Sequence, residues 1–175
     1  MNIKQALIDE HSKAQKDRIA DYVGHDTERF STFMEIFLHG EEPLPQRAAW
    51  CLDVIYRNNP IATQRFFPEL IERLADDNAH DAVHRNILKI LESEPIDVLD
   101  EDLQGRLIDL CFGFLASPKR PIAIRAFSMT VLYKFCRVYP ELSSELKLLI
   151  EENMKYGSAG IKSRGRKMLK KLDSF

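Results

Sequence analysis

Arg47-Ala48-Ala49-Trp50-Cys51-Leu52-Asp53-Val54-Ile55 opens on a cation and continues almost wholly apolar. A helix that is apolar around most of its circumference has to be covered on several sides. The arginine at its head returns at nearly constant spacing: Arg47, Arg85, Arg125 and Arg164 lie 38, 40 and 39 residues apart. Each stands a few residues after a short break and opens an apolar stretch, as in Ala126-Phe127-Ser128-Met129-Thr130-Val131-Leu132 after the third. Self-similarity at this period is the mark of stacked helical hairpins.

Reading back from each arginine finds the first helix of each hairpin. Phe30, Phe33, Met34, Phe37 and Leu38 recur at i, i+3, i+4, i+7 and i+8 and so share one helical face. The template returns as Phe67, Leu70, Ile71 and Leu74, then as Leu103, Leu107, Leu110, Cys111, Phe114 and Leu115. Leu142, Leu146, Leu149, Ile150 and Met154 form the fourth copy. From Leu38, Leu74, Leu115 and Met154 to the aligned arginine the gaps are 9, 11, 10 and 10 residues. Chance amphipathicity would not hold both the period and the gap.

Punctuation agrees with this division. Gly24 suits a left-handed helix stop, Asp26 a helix cap, and Gly40 closes the first of these helices. Pro68 is tolerable in a first turn, and Pro60, Pro95 and Pro140 end three of the second helices. The expected architecture is a single all-α domain over 1–175, a right-handed α-α superhelix. One polar N-terminal helix lies within 1–25, and four hairpins cover about 26–60, 61–95, 96–140 and 141–172. Residues 93–102 are the longest irregular candidate, and no strand-like alternation appears. The last helix, over 159–172, keeps a narrow stripe of Ile161, Gly165, Met168, Leu169 and Leu172, and is otherwise largely lysine and arginine. A terminal repeat needs such a polar outer face.

With 175 residues, 45% of them apolar and 30% charged, the chain has the balance of one soluble globular domain with a substantial core. Met1-Asn2-Ile3-Lys4-Gln5 leads into a polar amphipathic stretch, so neither a signal peptide nor a membrane span is expected and a cytoplasmic location is. Cys51, Cys111 and Cys136 are widely separated within apolar segments, the pattern of small buried hydrophobes rather than of a disulfide framework or zinc knuckle.

The hairpin spacing, the arginine heading each second helix and the Arg-Ala-Ala-Trp run resemble HEAT/armadillo-type repeats across roughly residues 26–172. The chain is similar to uncharacterised bacterial HEAT-like proteins, a resemblance that implies a fold and a surface for partners but no activity. Such repeats commonly carry an Asp about six residues before the arginine. Here those places hold Glu41, Ala79, Lys119 and Ser158.

The net charge of −2 hides a sorting by hairpin half. First helices with their leading turns (26–42, 61–79, 96–118, 141–158) carry −4, −2, −4 and −2, giving −12. Second helices (43–60, 80–95, 119–140, 159–172) carry +1, −1, +5 and +6, giving +11. In HEAT-like superhelices the second helices line the concave face, which implies a basic inner wall here, mostly in its C-terminal half. The candidate partner-binding surface is therefore Arg47, Trp50, Arg57, Arg85, Lys89, Arg125, Lys134, Arg137, Arg164 and Arg166. The bland account is that the repeat-position arginines serve hairpin packing and that Lys170 and Lys171 answer a helix dipole.

Chemistry is sparse. His80 and His84 share a helical face at i, i+4, as a metal site needs, but the third ligand and the Glu of a zinc protease are missing. No phosphate-binding glycine loop, nucleophile elbow or Cys-x-x-Cys occurs. Trp50 beside Arg47 and Arg57 has the makings of a base-stacking stripe. HEAT-like alkylpurine DNA glycosylases are the precedent, with Asp53 the nearby acid, whereas the plainer account of Trp50 is core packing. The reading is a non-enzymatic module for a protein partner, with no cofactor or metal. A nucleic-acid-binding or DNA-repair protein is the alternative.

Overall fold

The computed structural model describes residues 1–174, and among them every regular element is helical. The chain divides into two compact units, Met1–Ile90 and Leu91–Phe175.

Unit 1 begins with a departure from expectation. Residues 3–23 form two helices, α1 (Ile3–Asp9) and α2 (Lys13–Val23), rather than one. Glu10 leaves the helix with extended backbone, and the Ser12 hydroxyl accepts the Gln15 amide at 3.1 Å to cap a new start. Gln15 Nε2 then donates to the Ala6 carbonyl at 2.7 Å, binding the second helix to the first. Gly24 ends α2 at φ +48°, and its carbonyl accepts Asn59 Nδ2 at 2.6 Å. Asp26 caps α3 (Thr27–His39) through the Arg29 amide at 3.0 Å.

The α3 stripe of Phe30, Phe33, Met34, Phe37 and Leu38 is buried throughout. It packs on α4 (Leu44–Asn58), which also meets α1, α2 and the short α5 (Pro60–Gln64). Burying each such side chain stabilises the fold by about 1.5–3 kcal/mol. The second hairpin is α6 (Phe67–Leu74), with Pro68 in its first turn, and α7 (Asp81–Ser93), whose last residues enter unit 2.

In unit 2, residues 93–102 include a 3-10 turn at Ile96–Val98 before Asp100 caps α8 (Glu101–Ala116). The hairpin closes with α9 (Ile122–Cys136), which packs on α8 and on both helices of the last hairpin, α10 (Ser143–Lys155) and α11 (Ala159–Leu172). The first-helix stripes are only partly dry here. Leu107, Cys111, Phe114, Leu115, Leu146 and Ile150 are buried, while Leu103, Leu110, Leu149 and Met154 are half-buried. Ser158 caps α11, and Gly165 lets it lie close on α10: a Cβ there would stand 2.5 Å from Met154 Sδ.

Two glycines should respond oppositely to alanine. Gly24→Ala places a side chain at positive φ and should cost about 1–3 kcal/mol. Gly113→Ala, exposed inside α8 with nothing within 4 Å of the new methyl, should add about 0.5–1 kcal/mol. Urea unfolding of the two variants checks the sign of each.

Candidate functional site

Four of the cations on the second helices are occupied inside the fold. The Arg47 guanidinium donates to the Leu7 and Ile8 carbonyls at 2.8 and 2.7 Å, groups that the C-terminal turn of α1 leaves unpaired. Arg125 donates Nε–H to the Arg120 carbonyl at 3.0 Å and an Nη–H to Asn153 Oδ1 at 2.7 Å. Arg164 pairs with Glu92 at 2.5 Å and also donates to the Thr130 hydroxyl. Lys134 reaches the carbonyls of Leu91 and Glu92 at 2.9 and 3.0 Å, and that of Glu94 as well. Among the described residues no Asp pairs with Arg47, Arg125 or Arg164. Carbonyls, an amide, a hydroxyl and a glutamate receive these cations instead.

The others face outward. On α4, Asp53 Oδ2 lies 2.9 Å from both Arg57 and Lys89, so one carboxylate serves two partly exposed cations. One turn earlier Trp50 stands 37% exposed, on a helix whose opposite face is buried. His11 lies against it with ring centroids 5.1 Å apart, and the Lys16 ammonium sits 5.7 Å from the indole centroid. Trp50, Asp53, Arg57 and Lys89 thus come together with two residues, His11 and Lys16, that the sequence did not mark. Their approach depends on the break at Ser12, for which no periodic signal exists. Arg85 is exposed on α7, Arg137 just beyond α9, and Arg166 on α11 beside Lys167 and Lys170.

The two histidines serve the α7 start. His80 Nδ1 accepts the Ala82 amide at 3.1 Å, and the buried His84 holds Nε2 3.1 Å from the Asp76 carbonyl. Among the described residues no cluster of His, Cys, Asp and Glu is arranged to hold a metal ion, and no helix is long and apolar enough to cross a membrane. All three cysteines are free and buried. Burial pushes the Cys51 and Cys111 thiols up to about 12, so neither is a nucleophile near neutrality.

Burial also holds the Lys134 ammonium below its ordinary value of 10.5, against the opposing pull of Glu92 and Glu94. Between the lowered value and 10.5 the unfolded chain keeps a proton that the folded chain has released, so stability from this residue rises with pH in that window. Wild type compared with Lys134→Met by urea unfolding should gain relative stability as pH climbs toward 10.5. A difference that is flat or falls with pH contradicts the assignment.

The family model for the HEAT repeat domain matches residues 3–172. No curated protein and no solved structure matches the chain. With the match running from the start of α1 to the end of α11, and with hairpins headed by the recurring arginine, the chain belongs to the HEAT repeat domain family.

Proposed function

We propose that the protein is a non-enzymatic binding module that takes a protein partner on the solvent-exposed side chains of its second helices, the surface expected from the sequence. HEAT repeats serve in general as interaction scaffolds, and this reading extends that role to named residues. The observation that carries it is Trp50. A large aromatic left 37% exposed on an otherwise well-packed helix, with Lys16 near its ring and Arg57 and Lys89 one to two turns on, has the composition of an interface anchor. Arg85 extends this face within unit 1, and Arg137 and Arg166 offer exposed cations in unit 2. A cytoplasmic setting and the absence of a cofactor belong to the same reading. In the glycosylase reading Asp53 is the acid, and here its carboxylate is engaged by Arg57 and Lys89.

The second reading, nucleic acid, is favoured by one observation: Arg166, Lys167 and Lys170 are exposed along one side of α11. Against it, Arg47, Arg125, Lys134 and Arg164 are held internally and are poorly placed to meet phosphates.

Affinity capture with the tagged chain should return one stoichiometric protein, and Trp50→Ala or Arg57→Glu should lose it while each variant keeps the helical circular dichroism of the wild type. Because Trp50 is the sole tryptophan, the same binding should shift the intrinsic fluorescence of the wild type. Titration with short DNA supplies the contrast. Affinity that falls steeply with salt and is lost on Arg166→Glu with Lys170→Glu supports nucleic acid, and no binding at about 50 mM salt removes that reading.

A further inference from the structure

A cavity of about 480 Å³ opens in unit 2 between the turn that follows α8 and the turn that follows α10. Leu115, Ala116 and Pro118 line it from one side, and Asn153, Lys155 and Tyr156 from the other. Arg125, in the first turn of α9, lines it between them.

Arg125 is half-buried, and both partners of its guanidinium are neutral: the Arg120 carbonyl and Asn153 Oδ1. No carboxylate of the described residues pairs with it. Asn153 is itself fixed, donating Nδ2–H to the Leu115 and Leu149 carbonyls at 2.8 and 2.9 Å. The fork is therefore held at Nε and at one Nη, while its other N–H groups remain for a ligand. A cation taken partly out of water without an opposite charge forgoes the attraction that offsets desolvation. A carboxylate meeting the fork would restore that attraction through charge-assisted hydrogen bonds.

The mouth has matching chemistry. Lys155 is exposed there, and Lys119 is exposed in the turn after Pro118, while Glu152 is the one acid lining the cavity. Tyr156 is 96% exposed, so its ring contributes almost no burial to this fold. Tyrosine and arginine are, with tryptophan, the residues that most often dominate binding energy at protein interfaces.

We propose that this cavity receives an Asp or Glu side chain from an acidic segment of the protein partner, with Arg125 as receptor and Tyr156 packed along the segment. The proposal rests on the reading of the chain as a protein-binding module and gives that module a second place and a charge preference. A single positioned fork suits one inserted carboxylate. A nucleic-acid backbone asks for a row of exposed cations, and these lie elsewhere, on α11.

The probe is hexaglutamate blocked at both ends, titrated into the full ¹⁵N-labelled chain. The expected result is a set of NMR shifts centred on the Arg125 Nε–H and the amides of 153–157. Tyr156→Ala and Lys155→Glu should each weaken binding roughly tenfold, as loss of one interface anchor does. Both residues are exposed, so these variants decide the matter, whereas Arg125→Gln also removes two structural hydrogen bonds. The proposal is overturned by no binding, by affinity in both variants that equals that of the wild type, or by shifts that gather on Arg166, Lys167 and Lys170. Single-stranded DNA that displaces hexaglutamate from the 153–157 amides with higher affinity overturns it in favour of a nucleic acid. If hexaglutamate fails while Trp50-dependent capture persists, the cavity assignment alone falls. If hexaglutamate binds as described while capture ignores Trp50, the cavity stands and the α4 surface falls.

Discussion

α4 and α9 carry apolar side chains around so much of their circumference that no single neighbour can dry them. Within unit 1, α4 is covered by α1, α2, α3 and α5; within unit 2, α9 is covered by α8, α10 and α11. The broken N-terminal segment makes sense on these terms. A straight helix over 3–23 would run about 30 Å and touch α4 along one line. Breaking it at Glu10–Ser12 gives α4 two covers in place of one, at the cost of a few helical hydrogen bonds that the Ser12 cap and the Gln15 side chain partly replace.

The same arrangement decides what becomes of the charge. The second helices hold most of the positive charge, yet charge counted along a chain does not measure charge available to a ligand. Arg47 is absorbed by the carbonyls that end α1, and Lys134 by those that end α7, places where the helix dipole also favours a cation. Arg164 is neutralised by Glu92. What reaches the surface is sparser: Arg57 and Lys89 sharing Asp53, then Arg85, Lys119, Arg137, and the α11 side with Arg166, Lys167, Lys170 and Lys171.

The hairpins were legible because their information is local and periodic. Phe30 to Leu38 share a helical face, the arginine spacing repeats, and Asp26, Gly24 and Pro68 act where capping and proline chemistry put them. The break at Ser12 was not legible, since residues 3–23 contain no proline or glycine and Ser12 reads equally as an exposed helical residue. The candidate surface was legible as residue types and not as an arrangement. Trp50 and Arg57 sit on one helix and their stripe follows from spacing, but His11, Lys16 and Lys89 reach it only through tertiary packing. Arg125 was marked as a cation, while its tether depends on Asn153, 28 residues away, and no pattern in the chain pairs them.

The fate of the cysteines has a practical corollary. Cys51, Cys111 and Cys136 are interior, and burial raises all three thiols. The native protein accordingly offers alkylating reagents and mild oxidants little to attack. One cysteine engineered onto an exposed turn would then take a maleimide dye or spin label almost alone, without first stripping the wild-type sulfurs from the interior.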